Sequence, residues 1–115
     1  MAQSISSVCV FCSASSHVDA SYHQLAYNFG QLLAREGVRL VYGGSHFGLM
    51  GKLADGRLAG NGYVYGVTTD HLREYEQAHK HLQQLDVVPD MHSRKARMFE
   101  HSDGVVVLPG GGVAP

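Results

Sequence analysis

Three stretches of this chain carry residue types that could do chemistry on a phosphorylated ligand. The first is Tyr42-Gly43-Gly44-Ser45-His46-Phe47-Gly48-Leu49-Met50-Gly51, which runs from a strand-like pattern into a helical one. Glycines at such a junction let backbone N–H groups approach an anion, and the first helical turn adds a favourable dipole. The stretch is not a P-loop, because no Ser or Thr follows Gly51-Lys52 and His46 stands where that motif has its earlier Gly. Nor does it spell Gly-x-Gly-x-x-Gly. Alone, it reads as either a tight turn or an anion-binding loop.

The second stretch is Asp90-Met91-His92-Ser93-Arg94-Lys95-Ala96-Arg97-Met98-Phe99. Asp90 is a good N-cap, which predicts a helix from Met91 onward. At about 100° per residue Met91, Met98 and Phe99 form one apolar stripe with Lys95 in its middle. Arg94 flanks that stripe, while Arg97 and Glu100 face away, Arg97 as a solvated surface residue. A Lys on an apolar face must snorkel, pair or point into a site that holds an anion. The third stretch is Asp103-Gly104-Val105-Val106-Val107-Leu108-Pro109-Gly110-Gly111-Gly112, a buried strand delivering a second Gly-rich loop. Two such loops with an Arg-Lys pair nearby suit a phosphorylated ligand.

Other reactive side chains read as structural. Cys9 and Cys12 have a Cys-x-x-Cys spacing, but they lie in an apolar strand pattern, where residues three apart point to opposite faces. No second Cys pair completes a metal site, and buried free thiols are the expectation. The eight histidines include His79-x-His81 and His92, without the spacing of a His-Glu-x-x-His helix or an accompanying carboxylate cluster. They read as surface or loop histidines, and no metal is expected.

The elements that must position these residues alternate. Ile5 to Phe11, Val38 to Tyr42, Tyr63 to Val67, Leu85 to Val88 and Val105 to Leu108 read as short strands rich in Val, Ile and Tyr. Leu25, Phe29, Leu32 and Leu33 recur at helical spacing before a stop at Gly37. Leu49, Met50, Leu53, Ala54 and Leu58 form a second stripe ending at Gly60. Asp70 to Gln84 is polar and helical in part. This alternation predicts an α/β fold: a parallel sheet with helices on both faces and ligands at the carboxyl ends of the strands.

Length and charge narrow the classes. The chain has 115 residues, enough for one core, and residues 1–115 are expected to form one domain. Nine Lys plus Arg against ten Asp plus Glu leave a net charge of -1, which disfavours a nonspecific nucleic-acid binder. No apolar run approaches the roughly 20 residues that span a bilayer, and Met1-Ala2-Gln3-Ser4 lacks a signal-peptide pattern. A soluble cytoplasmic protein, with no nucleic-acid or membrane partner, is expected.

Together the motifs resemble the LOG ("lonely guy") family, cytokinin riboside 5'-monophosphate phosphoribohydrolases, many of whose members carry the label "lysine decarboxylase-like". The matching residues are Val8-Cys9-Val10-Phe11-Cys12-Ser13-Ala14-Ser15-Ser16, Val41-Tyr42-Gly43-Gly44, Gly48-Leu49-Met50-Gly51, Glu76-Gln77-Ala78-His79, Met91-His92-Ser93-Arg94-Lys95-Ala96 and Leu108-Pro109-Gly110-Gly111. The resemblance implies a Rossmann-like fold and hydrolysis of the N-glycosidic bond of a nucleoside 5'-monophosphate such as AMP. The products would be a free base and ribose 5-phosphate. It makes Arg94 catalytic and implies substrate contacts from Glu76 and Lys95, with Gly110, Gly111 and Gly112 in the phosphate loop. Gly43, Gly44, Ser45 and Ser13 are the further expected substrate contacts. No cofactor and a homodimer or larger assembly are implied. Decarboxylation of lysine would need a pyridoxal cofactor on a Schiff-base lysine in a different setting, so that label is set aside.

Three departures stand against the resemblance. Ser13 occupies a position where the family has Gly, and Ser45-His46 replaces Gly-Ser. Val113 and Ala114 replace the Gly-Thr of Pro-Gly-Gly-x-Gly-Thr-x-x-Glu, and no carboxylate follows. The expectation is therefore a Rossmann-like domain incomplete at its C-terminus. The alternatives are a noncatalytic nucleotide or molybdenum-cofactor carrier of the same fold, or an inactive fragment.

Overall fold

The computed structural model describes residues 5–13, 18–60, 62–74 and 77–109. Among these residues five strands and four helices alternate: β1 (Ser7–Phe11), α1 (Ala20–Arg35), β2 (Arg39–Tyr42), α2 (Gly48–Ala59), β3 (Val64–Thr69), α3 (Asp70–Arg73), β4 (Gln84–Val88), α4 (Met91–Glu100) and β5 (Gly104–Val107). All five strands are parallel, in the order β4-β3-β2-β1-β5. The chain steps outward from β1 to β4, then returns across the sheet to place β5 on the other side of β1. Strand order thus reverses between β1 and β5, which puts the ligand-binding crevice of this Rossmann-like arrangement at their carboxyl ends.

Side chains alternate along each strand between two cores. Val8, Val10, Cys12, Leu40, Tyr42 and Val64 pack with Ala26 and Leu33 of α1 and Leu49, Leu53 and Ala54 of α2. Cys9, Val41, Tyr65, Val67 and Val88 face the other way and pack with Met98 of α4. The two cysteines accordingly lie in different cores, both buried and unbridged, as their spacing on a strand requires. No helix among the described residues is long and apolar enough to cross a membrane.

Helix boundaries follow local chemistry. Asp19 caps α1 through Ser21 N–H, and the helix ends where Val38 N–H reaches Leu33 O and Gly37 N–H reaches Ala34 O, with Gly37 at φ 67°. That is a Schellman ending, and it needs a residue that tolerates the left-handed region. The buried side of α1 is Ala26, Gly30 and Leu33, with Phe29 partly buried. Leu25 and Leu32, expected in the core stripe, are instead exposed. The reason is the partner: α1 and α2 cross at backbone distance, which demands small residues. A Cβ on Gly30 would lie 2.3 Å from Leu53 O, and one on Gly56 would lie 2.1 Å from Tyr27 O. Among the described residues of the polar region 70–84, helix is confined to the single turn of α3.

At the amino ends of the strands, Asp103 Oδ2 accepts from Ser6 N–H at 2.9 Å, Ser6 Oγ–H at 3.0 Å and Ser7 N–H at 3.2 Å. These bonds, the Ser6 backbone bond foremost, hold its carboxyl below the usual carboxylate range. A carboxyl depressed in the folded state stabilises above its unfolded value, and that contribution fades as pH falls through the folded one.

Two outcomes follow. Gly56→Ala must push α1 from α2 and is expected to lower unfolding free energy by about 1–3 kcal/mol, read from urea melts. Asp103→Asn is expected to lower the urea midpoint at pH 7, with the difference from the parent shrinking below roughly pH 4.

Candidate functional site

The carboxyl ends of β1 and β2, the start of α2 and one side of α4 converge on a narrow cleft with an accessible volume of about 20 Å³. It is lined by Val10, Phe11, Cys12, Gly43, Met50, Arg94, Lys95 and Met98. Ser13, just beyond β1, is buried, and its carbonyl accepts from Leu49 N–H in the first turn of α2 at 3.1 Å. Leu108 N–H donates to Phe11 O at 3.0 Å, so β5 ends beside β1. Of the expected contacts, Glu76, Gly110, Gly111 and Gly112 lie outside the described residues.

The loop after β2 is shaped by its own side chains. Tyr42 Oη–H donates to Ser45 O at 3.0 Å, and Ser45 Oγ accepts from Phe47 N–H at 2.9 Å. Burial pushes the Tyr42 hydroxyl up, helped by the negative charge of Asp55, so it stays a donor. Gly44 sits at φ 83°, and a Cβ on Gly66 of β3 would come within 2.9 Å of Gly44 Cα. Gly43 is just as constrained: a Cβ there would lie 2.2 Å from Arg94 Nη2 and 2.9 Å from Met50 Sδ. The loop therefore uses glycine for close approach of backbone to backbone and of backbone to a cation.

That cation is the centre of the site. Arg94 is 7% exposed; its Nε–H donates to Val67 O at 2.8 Å and its Nη2–H to Gly43 O at 2.7 Å. Its Nη1 lies 3.9 Å from Met91 Sδ. One guanidinium thus ties α4 to the ends of β2 and β3 while lining the cleft. The Nε–Nη2 edge that would grip a substrate oxyanion bidentately is engaged by protein carbonyls in this structure. Lys95, next to it, is partly buried at the cleft wall.

The face of α4 differs from the expected one. Asp90 does cap the helix, accepting from Ser93 N–H at 2.7 Å. The buried side, however, is Arg94 and Met98, one helical turn apart, whereas Met91 and Phe99 are exposed. An apolar stripe is a poor guide here because the carbonyl ends of β2 and β3 offer polar partners that draw in the arginine. Phe99 still stacks edge-on with Phe11, centroids 5.9 Å apart. Arg97, expected to be solvated, bonds Asp86 Oδ2 at 2.8 Å, and Asp86 also takes the Tyr65 hydroxyl.

Cys12 lies in the cleft wall, where burial pushes its thiol up to about 12. It is a neutral thiol near pH 7 and not a nucleophile. His79 is the residue the sequence reading misplaced. It lies in a loop, as expected, but it is buried there and not at the surface, with Nε2 2.7 Å from Asp55 Oδ1. A signal was available in the motif Glu76-Gln77-Ala78-His79, to which no role for the histidine was attached. Among the described residues no group of three or more His, Cys, Asp or Glu side chains converges to hold a metal ion.

Comparison with known proteins agrees with this geometry. The family model described as "possible lysine decarboxylase" matches residues 50–112, more than half of the chain. A cytokinin riboside 5'-monophosphate phosphoribohydrolase of Rhodococcoides fascians is 47% identical over 106 residues, covering 91% of this chain and 54% of that protein. A probable enzyme of the same name from Oryza sativa subsp. japonica is 41% identical, covering 90% of this chain and 42% of its own length. One from Arabidopsis thaliana is 38% identical, covering 90% and 49%. The chain spans about half the length of the curated relatives it matches. Among solved structures, the molybdenum cofactor carrier protein of Chlamydomonas reinhardtii superposes with a TM-score of 0.77 at 18% identity, covering 93% of this chain and 64% of that one. The molybdenum cofactor binding protein of Rippkaea orientalis gives 0.75 at 20%, with the same coverage. At such identities these two share the fold alone. With its family model matched over more than half its residues, and its Gly43-Gly44 loop and Arg94-Lys95 pair gathered at one sheet edge, the chain belongs to the LOG family, whose model bears the description "possible lysine decarboxylase".

Proposed function

We propose that this protein is an N-glycosidase that hydrolyses a nucleoside 5'-monophosphate, AMP or an N6-substituted AMP, to free base and ribose 5-phosphate. The observation that carries the reading is the buried Arg94 guanidinium in a cleft walled by Gly43 and Lys95 at the ends of β1 and β2. In the reaction the C1'–N bond breaks, its electron pair leaves with the base, water oxygen bonds to C1', and the proton that the water sheds ends on the base nitrogen. Negative charge grows on the departing base while the ribose gains oxocarbenium character. A cation already held in place, away from bulk water, favours the first change without reorganising.

In this reading Arg94 is the catalytic cation and Lys95 contacts the substrate, a division that the neighbouring positions on α4 allow. Gly43, Gly44, Ser45 and Ser13 receive one part of the nucleotide, and Gly110, Gly111 and Gly112 the phosphate, with Glu76 as a further substrate contact. Phosphate binding remote from C1' would help to hold the reacting bond in place. Residues 1–115 belong to one nucleotide-binding domain of a cytoplasmic homodimer. Tyr22, Leu25 and Leu32, exposed on α1, support that assembly by offering an apolar face. Carriage of the molybdenum cofactor, described for the solved neighbours, has fold likeness alone behind it.

The test is chromatographic release of base and ribose 5-phosphate from AMP and from its N6-isopentenyl derivative by the full chain. No release from either overturns the reading. Arg94→Ala is expected to lower base release by about 10²-fold or more and, by orphaning two buried carbonyls, to reduce stability by roughly 1–3 kcal/mol. Arg94→Lys is expected to restore little, because an ammonium cannot reach both carbonyls in the guanidinium's fixed geometry. Unchanged base release by Arg94→Ala would remove Arg94 from the chemistry.

A further inference from the structure

The imidazole of His79 is fixed on every side. Its side chain is 3% exposed, its Nε2 lies 2.7 Å from Asp55 Oδ1 on α2, and its Nδ1 accepts from His81 N–H at 3.1 Å. A nitrogen that accepts an N–H carries no proton, so the proton is on Nε2 and is donated to Asp55. The backbone around it is equally engaged. His79 N–H donates to Gly44 O at 3.1 Å, His46 N–H donates to Gln77 O at 2.7 Å, and Ser45 bridges Ala78 in antiparallel fashion. The His46 ring meets that of His79 edge-on, centroids 5.4 Å apart.

The segment 77–79 is thus a short splint along Gly44–His46, and the splint is pinned to α2 by one side-chain pair. Without that pin, the two segments, both irregular, are joined by a single bridge made of those two backbone hydrogen bonds. Such a pairing is weak when it stands alone, since ordering each residue has its own entropic cost. With it, the loop after β2, the segment before β4 and the second turn of α2 move as one body.

We infer that Asp55 and His79 are positioning residues, which hold Gly44–His46 in the shape that receives the nucleotide. The inference rests on the reading of that loop as a substrate contact. Neither side chain lines the cleft around Arg94, so both act through the loop. Their loss is expected to weaken binding while leaving the chemical step largely intact.

Asp55 is suited to the test because its carboxylate is 44% exposed, so truncation leaves no buried void. Asp55→Ala in the full chain is expected to raise the KM for AMP about tenfold, with kcat within roughly threefold of the parent, as expected for loss of ground-state positioning. Asp55→Asn keeps an oxygen acceptor for Nε2–H and is expected to restore KM to near the parent value. His79→Gln, which keeps a donor at similar reach, is expected to fall between the two. A merely stabilising role would lower the melting temperature and leave KM unmoved. An unchanged KM in Asp55→Ala, or an Asp55→Asn as impaired as Asp55→Ala, overturns the inference. Nitrogen-15 spectra judge it independently of turnover. They should show the Nε2-protonated tautomer of His79 in the parent and displaced Ser45 and His46 amide signals in Asp55→Ala. Unmoved amides overturn the inference even if AMP is hydrolysed, whereas absent hydrolysis with moved amides overturns only the assigned activity.

Discussion

A guanidinium removed from water must find hydrogen-bond acceptors, and Arg94 finds them in the carbonyls of Gly43 and Val67. Much of the site follows from that requirement. The ends of β2 and β3 must present their carbonyls towards α4, so α4 lies against them with Arg94 and Met98 inward. A side chain at position 43 would displace the guanidinium, which occupies the space a Cβ would take. The chain must then turn away at once, which Gly44 does in the left-handed region. A positive charge is left at the mouth of the crevice, close to where strand order reverses between β1 and β5. The same residue thus braces the strands on one side and lines the cleft on the other.

The glycines do two different jobs. Gly30 and Gly56 let two helices cross at backbone distance on one face of the sheet, and Gly43, Gly44 and Gly66 let loop, strand and cation crowd together at its carboxyl edge. The first group sets how closely α2 is held, and so where its first turn meets Ser13. The second shapes the surface that the first turn adjoins. Small residues therefore link packing and site through α2, whose start borders the cleft and whose later turn carries Asp55.

Much of this was legible in the chain. Short β-branched runs ending in Gly or Asp marked the strands, so that the expected Ile5–Phe11 and Leu85–Val88 correspond to Ser7–Phe11 and Gln84–Val88. The Cys9 and Cys12 spacing disclosed their opposite faces, and Asp90 disclosed the start of α4. What stayed hidden depends on partners far along the sequence. Arg94 is drawn inward by carbonyls from two other strands, Arg97 is held by Asp86 of β4, and His79 is buried by a carboxylate 24 residues away. Hydrophobic periodicity weighs a residue's own character and cannot see a polar acceptor brought by the fold. Leu25 and Leu32 failed in the converse way: a glycine-mediated crossing shifted the buried face of α1 towards Ala26, Gly30 and Leu33.

The return of the chain across the sheet also sets an order of assembly. β1 pairs with β2, β2 with β3 and β3 with β4 through connections to the next strand along the chain, but β5 reaches β1 from the far end. Ser6 and Asp103, which bond across that junction, are 97 positions apart. During synthesis β1 must therefore wait as an exposed edge, its outer N–H and C=O groups unpaired, until residues 104–107 leave the ribosome. Such an edge is a template for pairing with another chain. Pairing of β5 covers that edge of β1 and sets Leu108 beside Phe11, which lines the cleft, so the waiting edge and one wall of the cleft are secured in the same step.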